Sequence, residues 1–244
     1  MSLLDNLKTD DAIAEDADFI GGGGLVESGL YNCTVGMAYY EKSAGGALAL
    51  NLSLKTEQGQ EIRQKVWVTS GDAKGNKNFY IDKAGQKKYL PGFSLANGLC
   101  LLTCGKEIAA IEPEEKVVGI YNYDEKKEIP TKVPVLTDIL GKEVIVGAIR
   151  QTVDKNVKDA AGNYVPSGET RDEVEIDKVF HATKRMTVAE CRAQAETADF
   201  IDKWEAKNKG VTRNRATGAA AASAPQAGGS AAPASAPTKS LFTD

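Results

Sequence analysis

Leu48, Leu50, Leu52 and Leu54 occupy every second position, with Ala49, Asn51 and Ser53 between them. A helix cannot gather such a set on one face. A strand does so by construction, because its side chains alternate. The leucines predict a half-buried strand whose other face is small and polar, so something can lie close against it. A Gln58-Gly59-Gln60 turn follows, and then Glu61-Ile62-Arg63-Gln64-Lys65-Val66-Trp67-Val68. Here Ile62, Val66 and Val68 share one side, and Arg63, Lys65 and Trp67 the other. The two runs together predict a hairpin with an apolar inner face and a cationic, aromatic outer one.

Strand signals recur over Leu30–Met37, Val117–Tyr123, Gly141–Arg150 and Val174–Phe180. Lys83–Tyr89 reads as a hairpin tip, and Leu90-Pro91-Gly92-Phe93 breaks the strand. Ser94 is placed to cap a helix of about ten residues that stops before Gly105. Residues 154–172, with Gly162, Pro166 and Gly168, read as a polar loop. Thr187 and Glu190 form a capping box. Val188, Cys191, Ala195, Ala198, Ile201 and Trp204 then predict one packed helix to about Asn208, closed by Gly210. The expected class is mainly β with α additions. Its expected form is an OB-type five-stranded barrel with extra hairpins, a C-terminal helix and a disordered tail.

Three segments follow. Residues 1–27 form an acidic N-terminal segment, in which a short helix ends at the Gly21–Gly24 hinge. Residues 28–210 form the folded domain with its C-terminal helix. Residues 211–244 form a flexible Ala/Pro/Gly-rich linker and tip. From Ala216 to Ser240 the only charge is Lys239, and such a composition cannot bury enough apolar area to fold. Leu241, Phe242 and Asp244 at the tip are read as a docking peptide for a partner. The Met1–Asp5 start has neither the basic nor the apolar region of a secretory signal, and no apolar run reaches a membrane-spanning length. A cytoplasmic protein is expected.

Four cysteines and one histidine, His181, leave no second pair of metal ligands beside Cys100 and Cys104. The cysteines are read as reduced, mostly buried thiols, and no metal or other cofactor is expected. His181 is read as a hydrogen-bonding group. Glu112, Glu114 and Glu115 surround Pro113 in what reads as a polar loop, so they are taken as solvated and not as a nuclease's metal site. No enzyme is expected.

The net charge of −4 conceals a segregation. Residues 1–28 hold seven acids and only Lys8 as a base, whereas residues 61–93 hold seven bases against three acids. Single-stranded DNA offers a phosphate and an exposed base face at each nucleotide, so a sequence-tolerant binder needs cations with aromatics between them. Arg63, Lys65 and Trp67 meet that demand on one strand. Lys74, Lys77, Phe79, Tyr80, Lys87, Lys88 and Tyr89 repeat it next door. Tyr39 and Tyr40 are further stacking candidates.

Several stretches carry a family resemblance. They are Gly29-Leu30-Tyr31, the alternating leucines, the Arg63–Trp67 strand, Tyr89–Phe93, Leu101-Leu102-Thr103-Cys104-Gly105-Lys106 and Lys178-Val179-Phe180-His181. Over roughly residues 28–190 the chain resembles the single-stranded DNA-binding proteins of tailed bacteriophages. The resemblance implies an OB fold, a role in DNA replication, recombination and repair in the host cytoplasm, and a C-terminal tail that contacts a polymerase, primase or helicase. Self-association is open. The chain departs from the family in its tail, which is usually strongly acidic and here offers only Asp244. The other readings are a virion or scaffolding protein with an Ala/Pro-rich tail, and a strand-annealing mediator.

Overall fold

The computed structural model describes residues 24–122, 125–160, 162 and 164–217. The expected N-terminal helix, most of the glycine hinge and the tail tip lie outside them. The leucine strand forms as read. It is β2 (Leu48–Thr56), antiparallel to β1 (Gly29–Lys42) on one side and to β3 (Glu61–Trp67) on the other. Leu50, Leu52 and Leu54 turn inward beside Val35 and Ala38 of β1 and Ile62 and Val66 of β3. β8 (Glu143–Lys158) pairs with the first half of β1, and β9 (Tyr164–His181) pairs with β8. The main sheet therefore runs β3-β2-β1-β8-β9.

Between β3 and β8 the chain makes a small hairpin, β4 (Phe79–Ile81) with β5 (Lys87–Tyr89). It then enters α1 (Pro91–Cys104), which buries Ala96, Leu99 and Cys100 in the core. A further hairpin, β6 (Glu114–Asn122) with β7 (Lys127–Val135), joins the sheet ladder, among the described residues, at Val135 opposite Tyr39.

Five expectations are corrected. The sheet is open: among the described residues no backbone ladder joins β3 to β9, so the closed five-stranded barrel is not seen. Where the two edges approach, a side chain takes the place of a backbone acceptor. The Ile176 N–H donates to Gln64 Oε1 at 2.6 Å.

The supposed loop 154–172 is instead the outer part of a β8–β9 ribbon paired out to Lys158 and Tyr164. Lys155–Glu169 and Arg150–Asp172 ion pairs hold it across the strands. Both faces are exposed there, and the few apolar side chains, Val157, Tyr164 and Val165, do not alternate along either strand, so no period-two signal appears. α1 starts at Pro91, with Leu90 as its N-cap and proline at the first position, where the missing N–H costs nothing. Ser94 is inside it, its N–H donating to the Leu90 carbonyl. Glu114 and Glu115 belong to β6 and not to a loop.

The helix from Val188 is two helices, α2 (Val188–Arg192) and α3 (Asp199–Asn208). The chain turns at Gln194, which has φ 51°. The capping box is present, but Glu190 also accepts the Phe200 N–H and so ties α3 to α2.

α3 covers the outer side of β8 and β9. Ile201 and Trp204 pack there on Ile145, Ile149 and Phe180, which explains why the Val144–Ile149 run is apolar on both faces. The Trp204 indole N–H donates to Asp177 at 2.7 Å. Its ring lies over Gly147, where an added Cβ would sit 2.8 Å from a ring carbon. Beyond Gly210, β10 (Arg213–Asn214) adds in parallel to β8, so the folded region extends past residue 210. Thr217 donates from both N and Oγ1 to Asp154.

Candidate nucleic-acid interface

The pairing of β1, β2 and β3 lays out the outer face in rows. Glu41, Ala49 and Trp67 form one row, Tyr39, Asn51 and Lys65 the next, and Ser53 with Arg63 a third. Trp67 stands outward, 43% exposed, opposite the buried Ile62, Val66 and Val68. The middle strand, β2, presents only Ala49, Asn51 and Ser53 on this face, which leaves the side chains of β1 and β3 room to lie over it.

The cations on this face are not bare. Lys65 meets Glu41 at 2.7 Å and Arg63 meets Glu61 at 2.6 Å. The Lys65 hydrogen bond is the main reason the Glu41 carboxyl lies below its ordinary range, and the Asn51 amide adds to it against a smaller effect of burial. Arg63 acts in the same way on Glu61, with the Ser53 hydroxyl helping. Tyr39 is half-buried in this face, and its phenol is pushed up first by burial and then by Glu41.

Tyr40 does not share this face. It points to the opposite side and packs against the core, and burial raises its phenol further than that of Tyr39. Alternation along β1 makes the two adjacent tyrosines diverge, so only Tyr39 shares the face of Lys65.

A groove of about 400 Å³ runs along the end of β3, walled by Lys65, Trp67, Thr69, Lys74, Leu90 and Gly92. Gly92 makes it possible. A Cβ there would lie 2.3 Å from the Trp67 carbonyl oxygen, so only glycine lets the first turn of α1 sit against β3. The loop carrying Lys74 is held in place by hydrogen bonds from Asp72 N to Gly45 O and from Ser70 N to Lys77 O.

The β4–β5 hairpin continues from the groove. The Leu90 N–H donates to the Asn78 carbonyl and closes the hairpin's base. Phe79 pairs with Tyr89, and Lys77 and Lys87 lie 5.8 and 5.1 Å from the Phe79 ring centre. Tyr89 is 62% exposed and leans on Phe93 with ring centres 5.0 Å apart. Tyr80 and Lys88 pair with each other and so occupy the other face of the hairpin. Lys88 is held by Asp82 at 2.7 Å, and that contact is the first cause of the lowered Asp82 carboxyl. Among the described residues, no carboxylate lies within ion-pair distance of Lys74, Lys77, Lys83 or Lys87.

The structure thus brings Lys65, Trp67 and Lys74 into one groove, with Lys77, Phe79, Lys87 and Tyr89 beside it. It sets Tyr80 and Lys88 on the other face of the hairpin and Tyr40 on the core side of β1. Sequence reading missed Phe93, which braces Tyr89, and the Leu90–Gly92 wall. The Pro-Gly pair carried a signal, but only as a break. Leu241, Phe242 and Asp244 lie outside the described residues.

His181 and two of the cysteines are engaged within the fold. His181 accepts the Thr183 and Lys184 N–H groups through Nδ1 at 3.2 Å. Burial pushes the Cys33 and Cys100 thiols up to about 12. No described group of His, Cys, Asp and Glu side chains has the arrangement to hold a metal ion, and no described helix is long and apolar enough to cross a membrane. No protein-family model and no curated protein sequence matches the chain.

Proposed function

We propose that this protein binds single-stranded DNA with little regard to sequence and performs no chemistry on it. One observation carries the reading: the Trp67 groove opens between Lys65 and Lys74 and continues into a hairpin where, among the described residues, Lys77 and Lys87 have no carboxylate within ion-pair distance and the Tyr89 ring is open to solvent. A base on Trp67 and a second on Tyr89, with phosphates on the lysines between them, need no hydrogen-bond readout of base edges.

The β3-β2-β1-β8-β9 order, with α1 following β3, supports an OB-type arrangement in its partly open form. On this reading the protein protects single strands during replication and recombination in the cytoplasm, of the host if it is viral. Leu241, Phe242 and Asp244 recruit a polymerase, primase or helicase.

Titration with oligo-dT and with mixed-sequence strands tests the proposal. Emission from Trp67 is quenched on binding, while Trp204, only 4% exposed, keeps its signal. Duplex DNA binds far more weakly. Equal affinity for duplex and single strand would sink the reading. A second arm removes residues 218–244: capture of the replication enzyme is lost and DNA affinity is kept, whereas the reverse outcome would reassign both parts.

A further inference from the structure

A cleft of about 1010 Å³ opens where the sheet fails to close, between the first half of β3 and Arg171–Glu175 of β9. Three observations bear on what fills it. First, Gln151 belongs to its wall and is only 4% exposed. Its Nε2 donates to Glu173 at 3.0 Å, yet its Oε1 has no donor. A buried acceptor in that state costs free energy until an N–H or O–H reaches it.

Second, Gly24, Leu25 and Val26 form part of the same wall, and Val26 is anchored in the core. Residues 1–23 therefore join the fold at the mouth of this cleft. Third, the sequence just before that point reads Asp18-Phe19-Ile20-Gly21-Gly22-Gly23. Glycines allow the chain to reverse. Ile20 is four residues from Gly24, a reach of up to about 13–14 Å, and Phe19 and Ile20 are an apolar pair ready to be buried.

We infer that residues 10–20 of this chain dock in the β3–β9 cleft. Phe19 and Ile20 pack on the wall of Leu25, Ile62 and Val174, and a backbone N–H of the segment donates to Gln151 Oε1. The cleft's apolar wall residues match that pair, and Leu25 is 47% exposed without such a cover. Asp10, Asp11, Glu15, Asp16 and Asp18 then come near Arg171 and Arg215, whose side chains are 61% and 55% exposed and already pair with Glu173 and Glu175 of the same wall, so the added acids compete with those carboxylates. They also approach the Arg63 end of the β3 face. The segment becomes an internal competitor for nucleic acid at that end, a consequence that rests on the DNA-binding proposal although the docking does not.

The test uses the full chain without DNA. A photo-crosslinking benzoyl-phenylalanine replaces Phe19, and equal amounts of ordinary and nitrogen-15 chains are mixed before illumination. The expected product links residue 19 to peptides covering 61–65 or 171–175 of the same chain. Gln151→Leu, checked for folding by circular dichroism, lowers its yield at least twofold. Links elsewhere, links between isotopically different chains, or no links overturn the docking. An unchanged yield in Gln151→Leu overturns the amide's part in it. Because no nucleic acid is present, failure of the DNA proposal would leave this result standing.

Discussion

Trp67 stands on the exposed face of β3, opposite the buried Ile62 and Val66, and this separates its two possible roles. Trp67→Ala removes a stacking surface and leaves Ile62, Val66 and Val68 in place. The expected loss is about 1–3 kcal/mol of single-strand affinity, read by titration, with the thermal midpoint nearly unchanged. A large drop in stability with affinity intact would make it a packing residue. The lysines are sorted in the same way. Lys74 and Lys87 have no carboxylate within ion-pair distance among the described residues, whereas Lys88 is engaged by Asp82. Each phosphate contact contributes about 0.7 to the slope of log affinity against log salt. Lys74→Ala with Lys87→Ala is expected to flatten the slope by about 1.4, and Lys88→Ala by clearly less. The sequence placed all three in one basic run. Only the Tyr80–Lys88 pairing shows that Lys88 faces away from Lys87.

At the level of elements, legibility followed burial. β2 and β3 were plain because one face is apolar and the other is not, and α1 because Gly105 stops it. The β8–β9 ribbon was invisible because its outer half is exposed on both sides. It is held by Lys155–Glu169, Arg150–Asp172 and the Thr152 hydroxyl on Asp172, contacts that leave no periodic trace. The α2–α3 break was hidden for the opposite reason: Val188, Cys191, Ala198, Ile201 and Trp204 keep helical spacing across a turn of the chain. The contact between α3 and β8 is open to a direct test. Gly147→Ala sets a methyl group 2.8 Å from the Trp204 ring, and over-packing of this kind typically costs about 1–3 kcal/mol. Thermal unfolding of Gly147→Ala is expected to show that loss. Gly119→Ala, on the distant β6–β7 hairpin, is expected to lose less, since its added Cβ meets only the end of the Glu128 side chain at 3.1 Å.

For the whole molecule, the open seam between β3 and β9 is the feature that no local pattern reports, since strand order depends on partners far apart in sequence. Gln64 lies in a strand whose neighbours Arg63 and Lys65 drew attention as cations, and its own amide holds the two ends of the sheet together. Its Oε1 is the acceptor for the Ile176 N–H, and it sits between the Gln151 cleft and a second cavity of about 690 Å³ that reaches Gly92 and Thr187. Gln64→Leu keeps the volume and removes the acceptor. The orphaned N–H is expected to cost about 1–3 kcal/mol, and the cost should be local at first, because β3 remains paired to β2 and β9 to β8. Hydrogen exchange gives the decisive measurement. The Ile176 amide should exchange far faster in Gln64→Leu, while amides in the β1–β2 ladder keep their protection. If the β1–β2 amides accelerate equally, the seam is part of one cooperative unit and Gln64 supports the whole sheet. If Ile176 does not accelerate, another acceptor takes its N–H and the amide bridge does not hold the ends together.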